Sequence, residues 1–154
     1  MGQSLKDLLT WQRAIELTIA VYKATAEYPD SERFGLTGQM RRAAVSVASN
    51  IAEGYGRSTK GEYMLFLGHA RGSCSEVETQ IVISKTLEFG TSTNLDLAEK
   101  LCNDVGRLLG GLMKSVRPQQ PSVPQSLRGP QRQVSVAGEV SPSVPSRHRS
   151  IEHP

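Results

Sequence analysis

The distribution of proline divides this sequence into two unequal parts. Pro29 alone precedes residue 118, and the other seven of the eight prolines lie at or after Pro118. Because proline interrupts regular helices and strands, we expect residues 1–117 to form one folded domain and residues 118–154 to form a disordered tail. A domain of this length buries a hydrophobic core without disulfides or metal ions.

The predicted tail, residues 118–154, has the composition of a segment that does not fold by itself. It is rich in Pro, Ser, Gln and Arg, and its few large apolar side chains do not offset the entropy lost on ordering. The tetrapeptide PSVP occurs twice, at 121–124 and at 142–145. Two interpretations stay open: a degenerate repeat in a linker, or a short partner-binding motif in extended conformation.

Apolar residues before residue 118 recur at spacings of three, four and seven, which is typical of helices, and no stretch alternates long enough to indicate a strand. The spacing predicts helices over about 8–28, 37–53, 60–89 and 94–116. Short connections between four helices favour an all-α fold, an antiparallel up-down-up-down four-helix bundle.

The helix ends carry their own signals. Pro29 disfavours helical geometry before it and ends the first helix, and Thr37 is the expected N-cap of the second. Thr59 and Glu62 form a T-x-x-E capping box at the start of the third helix. Gly90 is the expected C′ residue at its end.

Two helices carry apolar rows that predict how they pack. The first helix has two neighbouring rows, and because one is enough for a bundle, the wide face predicts a contact with another subunit. The expected core seam of the fourth helix is Leu97, Leu101, Val105, Leu108, Leu112 and Val116. Gly106 and Gly110, spaced GxxxG, indicate either a close helix approach or simple tolerance.

Charge and the two cysteines bound the class of protein. The net charge is +3, and residues 1–117 contribute +1 of it, from 14 Lys and Arg against 13 Asp and Glu. Only clustering of the positive charges would therefore support nucleic-acid binding.

The sequence shows no signal peptide or membrane span, and Cys74 and Cys102 are expected as reduced thiols. We therefore expect a cytoplasmic protein that contacts no membrane.

A polar stripe interrupts the apolar second helix. Arg42, Ser46, Asn50 and Glu53 are separated by four, four and three residues and therefore share one face. In a structural interpretation, Ser46, Asn50 and Glu53 form a hydrogen-bond network that fixes the register of neighbouring helices, and Arg42 or Arg71 neutralises Glu53.

The functional interpretation of the same region is a nucleic-acid surface. It assigns phosphate contacts to the basic residues Arg41, Arg42, Arg57, Lys60 and Arg71. Both interpretations are compatible with the sequence. They can hold together if Asn50 and Glu53 have a structural role and the basic residues contact phosphates.

The sequence contains no recognisable catalytic pattern. A phosphate-binding loop, a nucleophile elbow and a Glu-x-x-His motif are all missing, and His69 by itself is expected to lie at the surface or at an interface. Trp11 is expected as a core anchor. We therefore expect a non-enzymatic protein without catalytic residues, metal or cofactor.

Three segments carry a family resemblance: WQRAIEL, the block from YP to ERFGLTGQMRRAAVSVASNIAEGYGR, and EYMLFLGHARGSCSEVETQ. Over residues 5–116 the chain resembles the four-helix-bundle family of 23S rRNA intervening-sequence proteins, which is related to the accessory variability determinant (Avd) of diversity-generating retroelements. The resemblance implies a homopentameric barrel of four-helix bundles without a catalytic centre. The Avd branch implies RNA and DNA binding and a reverse-transcriptase partner. The motif arginines in this chain are Arg41, Arg42, Arg57 and Arg71.

Two functional hypotheses follow. In the first, the protein is a homo-oligomeric scaffold, accessory to a retroelement reverse transcriptase, that binds structured RNA or an RNA–DNA intermediate through arginines brought together by symmetry. In the alternative, it is a protein-interaction scaffold of the rRNA intervening-sequence type that does not itself bind nucleic acid.

Overall fold

The computed structural model describes residues 4–116, which contain four long helices and no strand. The helices are α1 (Leu9–Ala24), α2 (Leu36–Tyr55), α3 (Lys60–Thr86) and α4 (Ser92–Val116). Short 3-10 turns occur at Leu5–Asp7, Thr25–Glu27 and Asp30–Glu32. The predicted all-α fold with four helices is confirmed. The predictions for the tail and its PSVP repeat lie outside the described residues.

The four helices form an antiparallel ring in which each packs on the next and α4 returns to α1. Hydrogen bonds cross the seams. The Thr18 hydroxyl of α1 donates to the Ala44 carbonyl of α2 over 3.0 Å. On the other side of the bundle, the Lys85 ammonium of α3 donates to carboxylates of Asp96 and Glu99 on α4. This order and direction are those of an up-down-up-down bundle.

The core separates the two apolar rows of α1. The row that includes Ala14, Leu17 and Val21 is buried. In the other row, Trp11 is half-buried against the core and Tyr22 is exposed. The row that includes Trp11 and Tyr22 therefore contributes only partly to the core of the bundle. This agrees with the prediction that a single bundle does not cover both apolar rows of the first helix.

The predicted seam of α4 is wrong at Leu97 and Leu108. The buried residues of α4 are Leu95, Ala98, Leu101, Cys102, Val105 and Leu109. Leu97 lies about 200° around the helix from Leu95 and is 47% exposed, and Leu108 is half-buried. A row traced through the large apolar residues passed over Ala98 and Cys102, whose small side chains are buried. Gly106 and Gly110 make no close approach, because a Cβ at either would meet nothing within 4 Å.

Two predicted boundaries shift at the connection between α1 and α2. Helix α1 ends at Ala24, before a 3-10 turn, rather than at Tyr28. Helix α2 begins at Leu36, whose N–H donates to the Glu32 carboxylate over 2.9 Å. Thr37, the expected N-cap, is buried inside the first turn. The Glu32 carboxylate accepts from an N–H group that the first turn of α2 leaves without a partner.

At α3 the Thr59 cap is confirmed, since its hydroxyl accepts from the Glu62 N–H over 3.2 Å.

The end of α3 is a Schellman motif with an unexpected residue at C′. The N–H of Phe89 donates to the Ser84 carbonyl over 3.0 Å, and the N–H of Glu88 donates to the Lys85 carbonyl over 3.3 Å. These two bonds place Glu88 at C′, with φ of 56°. Gly90, the predicted C′ residue, has φ of 72°, and a Cβ there would lie 3.0 Å from the Ala24 carbonyl oxygen.

Replacing Glu88 with glycine is therefore expected to increase the free energy of unfolding by about 1 kcal/mol, because glycine adopts positive φ without a steric penalty. Urea denaturation measures the change. Thr86→Gly is the matched control: Thr86 ends the same helix in ordinary helical geometry, and glycine should lower the free energy of unfolding there by about 0.3 kcal/mol. Equal destabilisation by both variants would contradict the assigned cap.

Two free thiols meet at the seam between α3 and α4. Cys74 and Cys102 are both buried, and their sulfur atoms lie 3.3 Å apart. The hydrogen bond with Cys74 and burial raise the pKa of Cys102 above its usual value. The thiols therefore belong to the core of the described domain.

None of the four described helices combines the length and the apolar character that crossing a membrane requires.

Candidate functional site

A hydrogen-bonded network joins α2 and α3 at the polar stripe. The Asn50 amide donates to the carbonyl oxygen of Ser46 over 2.8 Å and to its Oγ over 3.0 Å. The Ser73 hydroxyl of α3 donates to the same Oγ over 2.9 Å. Ser46 and Asn50 are half-buried and Ser73 is buried. The structure thus joins Ser46 and Asn50 to α3 by hydrogen bonds, and the role of this network in fixing the register of the helices stays a prediction.

Glu53 lies outside this network. Its carboxylate is exposed and forms an ion pair with Arg57, which lies two residues beyond the end of α2. The Arg57 guanidinium also stacks 4.5 Å from the centre of the Phe66 ring on α3. The assignment of Arg42 or Arg71 as the partner of Glu53 is therefore wrong, because Arg57, just after the end of α2, forms the ion pair with the Glu53 carboxylate.

Arg41 is bound within the fold. Its Nε donates to the Thr25 hydroxyl over 2.8 Å, and its guanidinium lies 4.8 Å from the centre of the Tyr22 ring. The side chain is half-buried between α1 and α2. Of the predicted phosphate contacts, Arg41 and Arg57 are thus already engaged with protein groups.

The other three predicted contacts are exposed and form no salt bridge within residues 4–116. Lys60 and Arg71 are eleven residues apart on α3, which puts them on one face about 16 Å apart. Arg42 belongs to the seam between α2 and α3, next to Ser73. Arg71 lies about 200° around α3 from Ser73 and points away from that seam. The five basic residues therefore do not form one patch on a single chain.

A polar cavity of about 310 Å³ lies between α2 and α3. It is lined by Gln39, Arg42, Ala43, Ser46, Ser73, Glu76 and Gln80. Gln80 is 8% exposed, and its Oε1 has no hydrogen-bond partner in the described chain. Sequence reasoning missed Glu76 and Gln80. The sequence did contain a signal for Gln80. Ser73, Val77 and Gln80 follow one another at spacings of four and three and so share one face of α3, which places a glutamine in a row of buried residues.

An apolar groove of about 400 Å³ lies between α1 and α4. Ile19 and Leu97 line it and are 50% and 47% exposed, with Ala20 and Leu101 buried below them. The charged residues around the groove are Arg13, Glu16, Lys23, Lys100 and Asp104. We refer to this surface as the α1–α4 groove.

The contacts of Arg41 and Glu53 predict unequal contributions to stability. Arg41→Ala should lower the free energy of unfolding by about 1–2 kcal/mol, through loss of a part-buried hydrogen bond and a cation–π contact. Glu53→Ala should lower it by less than about 0.5 kcal/mol, because its ion pair is exposed to solvent. Urea denaturation compares them, with Arg107→Ala as an exposed control. A larger loss for Glu53→Ala would contradict these assignments.

The helices and their connections define an antiparallel four-helix bundle. Within that class, the chain belongs to the family of 23S rRNA-intervening sequence proteins, because the model of this family matches residues 6–111. The predicted family membership is confirmed, and the relation to Avd stays a prediction.

A solved structure shows the same fold. It is the 1.70 Å crystal structure of a protein of unknown function from the S23 ribosomal protein family of Bacteroides thetaiotaomicron. The TM-score is 0.62 at 17% sequence identity, and the match covers 69% of this chain and 99% of that chain. No curated protein matches the chain significantly.

Proposed function

We propose that this protein is a non-enzymatic helical scaffold that assembles with copies of itself through the α1–α4 groove. The observation that carries the proposal is the exposure of Ile19 and Leu97 beside each other at this groove. Large apolar side chains that stay exposed together at a groove mark an interaction surface.

The charges around the groove favour a second copy of this chain as its occupant. An apolar floor with a polar rim is the usual anatomy of a protein interface. The rim carries both signs, with Arg13, Lys23 and Lys100 on one side of the balance and Glu16 and Asp104 on the other, so that a like surface provides complementary charges. A closed ring of five subunits is the assembly that the family resemblance implies, and we include it in the proposal.

Sedimentation velocity of the full chain over the micromolar range tests self-association. We expect one discrete assembly with five times the mass of the chain. A discrete assembly with a different number of subunits would overturn the pentamer but would leave the proposed scaffold intact. A monomer at all concentrations would overturn the scaffold itself.

RNA binding is a second candidate function, with specific support. Lys60 and Arg71 are exposed on one face of α3 without an acidic partner in the described residues. A ring would repeat this pair in each subunit, and affinity for RNA increases with the number of phosphates neutralised. A reverse-transcriptase partner rests on the resemblance to Avd and belongs to this second candidate.

The test of RNA binding is a salt titration of the Lys60→Gln, Arg71→Gln double variant on one structured RNA. Each lost phosphate contact should lower the slope of log affinity against log salt by about 0.7–0.9. Arg57→Gln is the control, because that guanidinium is already paired with Glu53 and its loss should leave the slope unchanged. Absence of RNA binding by the unmodified protein would leave protein interaction as the function.

A further inference from the structure

The connection between α1 and α2 presents the most exposed large apolar side chain of the described residues. This side chain is Phe34, which is 87% exposed. The Arg33 guanidinium lies 5.7 Å from the centre of its ring. Aromatic and arginine side chains are the ones that most often anchor protein interfaces. We refer to residues 30–35 as the α1–α2 turn.

Backbone hydrogen bonds hold the α1–α2 turn in one shape. The N–H of Arg33 donates to the Asp30 carbonyl over 3.1 Å, and the N–H of Gly35 donates to the Glu32 carbonyl over 3.0 Å. The Glu32 carboxylate also accepts from the first N–H of α2, which ties the turn to that helix. A side chain on an ordered turn loses less freedom on binding than one on a mobile loop. Phe34 is therefore preorganised for a contact.

A ring of subunits needs a second surface besides the α1–α4 groove. When a surface contacts the same surface of another copy, the contact closes as a dimer, whereas a ring requires two different surfaces on each subunit. The groove has room for an aromatic side chain, because its volume is about 400 Å³ and an apolar cavity of about 150 Å³ already takes up benzene. Its lining side chains Ile19 and Leu97 are apolar and partly exposed.

The unpaired charges of the groove and of the turn have opposite signs. Both carboxylates at the rim of the groove are already paired with arginines of their own helices. Lys23 and Lys100 at the rim are exposed and form no salt bridge within the described part of the chain. Asp30 of the turn is exposed and likewise forms none there. The turn thus complements the groove in charge as well as in apolar character.

We propose that the α1–α2 turn of one copy occupies the α1–α4 groove of the next copy. The Phe34 ring packs on the apolar floor of the groove, and the Asp30 carboxylate pairs with the ammonium groups of Lys23 and Lys100 at the rim. This inference rests on the proposed self-association and identifies the surface that fills the groove. Each copy offers its turn to one neighbour and its groove to the other, which is the arrangement that a closed ring requires.

Mixing two variants of the full chain, each lacking one of the two surfaces, tests the inference. Phe34→Gln removes the aromatic anchor, and Ile19→Glu, Leu97→Glu removes the apolar groove. Each alone should associate at least about tenfold more weakly than the unmodified protein in sedimentation velocity. An equimolar mixture at sub-millimolar concentration should form a complex of two subunits and no larger assembly, because one intact turn meets one intact groove. A mixture that stays dissociated where the unmodified protein assembles would overturn the inference.

Charge reversal tests the ion pairs between the turn and the rim. Asp30→Lys should weaken self-association about tenfold, because it places a third positive charge next to two others. Adding Lys23→Glu and Lys100→Glu to the same chain should restore most of the lost affinity. A triple variant that associates as weakly as Asp30→Lys would overturn the assigned pairs.

A matched control separates this inference from the proposed function. Leu65→Gln replaces an exposed apolar residue of α3 that belongs to neither surface, and it should associate as the unmodified protein does. A monomeric unmodified protein would overturn the proposed function and this inference together. If the unmodified protein assembles and Phe34→Gln assembles equally well, only this inference is overturned. Circular dichroism establishes that each variant is folded, as the exposure of Phe34 leads us to expect.

Discussion

The double variant Ile19→Glu, Leu97→Glu should weaken self-association by at least about a hundredfold. Because each side chain is already about half buried in the single chain, covering the rest of the two contributes about 1.5–3 kcal/mol, and each 1.4 kcal/mol corresponds to a tenfold change in the dissociation constant. Glutamate would also leave a buried charge without a partner in the assembled state. Because both side chains are about half exposed in the single chain, the variant should keep its helical bundle.

The control for this prediction replaces equally exposed apolar residues elsewhere. Leu65 and Val82 on α3 are 57% and 56% exposed and do not line the α1–α4 groove. Leu65→Glu, Val82→Glu should associate as the unmodified protein does in sedimentation equilibrium. Circular dichroism establishes that both double variants are folded. Equal loss of association in the two double variants would contradict the assignment of the interface to the α1–α4 groove.

The second large effect is expected at Gly54, a buried position of α2 that faces Tyr63 and Phe66 on α3. A Cβ at this position would lie 2.9 Å from Phe66 Cβ and 2.9 Å from a ring carbon of Tyr63. Such distances force side chains or backbone to move, which costs about 1–3 kcal/mol in a packed interface. Gly54→Ala should therefore lower the free energy of unfolding by up to about 2 kcal/mol, since the helix propensity of alanine, about 1 kcal/mol, offsets part of the steric cost.

Gly68→Ala provides the matched comparison. Gly68 lies inside α3, and a Cβ there would meet nothing within 4 Å. Alanine should raise the free energy of unfolding by about 1 kcal/mol through helix propensity alone. The two variants should thus differ by about 1–3 kcal/mol in urea denaturation, because the helix propensity of alanine is common to both and only the steric cost at Gly54 separates them. An increase in the free energy of unfolding of both variants would show that the contact between α2 and α3 accommodates a methyl group at Gly54.

Local sequence signals were sufficient for the fold class. Periodicity predicted four helices, and the Thr59 cap starts α3 as expected. The boundaries were less certain, because the α1 end depends on the turn at Thr25–Glu27 and the α2 start depends on Glu32, a side chain outside the helix. Signals within one helix therefore predicted its existence better than its limits.

The candidate sites depended on tertiary structure. The sequence contained the i,i+4 spacing of Glu53 and Arg57, but the proximity of Arg41 to Thr25 and Tyr22 required the packing of α2 on α1. The cavity that joins Arg42 to Gln80 likewise required the pairing of α2 with α3.

The sequence by itself determined that this domain is helical and which residues share a face of each helix, because both depend on chain-local geometry. The tertiary structure decided how far each helix rotates about its own axis. That rotation exposes Leu97 beside Ile19, buries Gln80 next to a cavity, and separates Arg42 from Arg71. It depends on how small residues such as Ala98 and Gly54 fit against neighbouring helices, and this close packing is not encoded in the spacing of apolar residues along one helix.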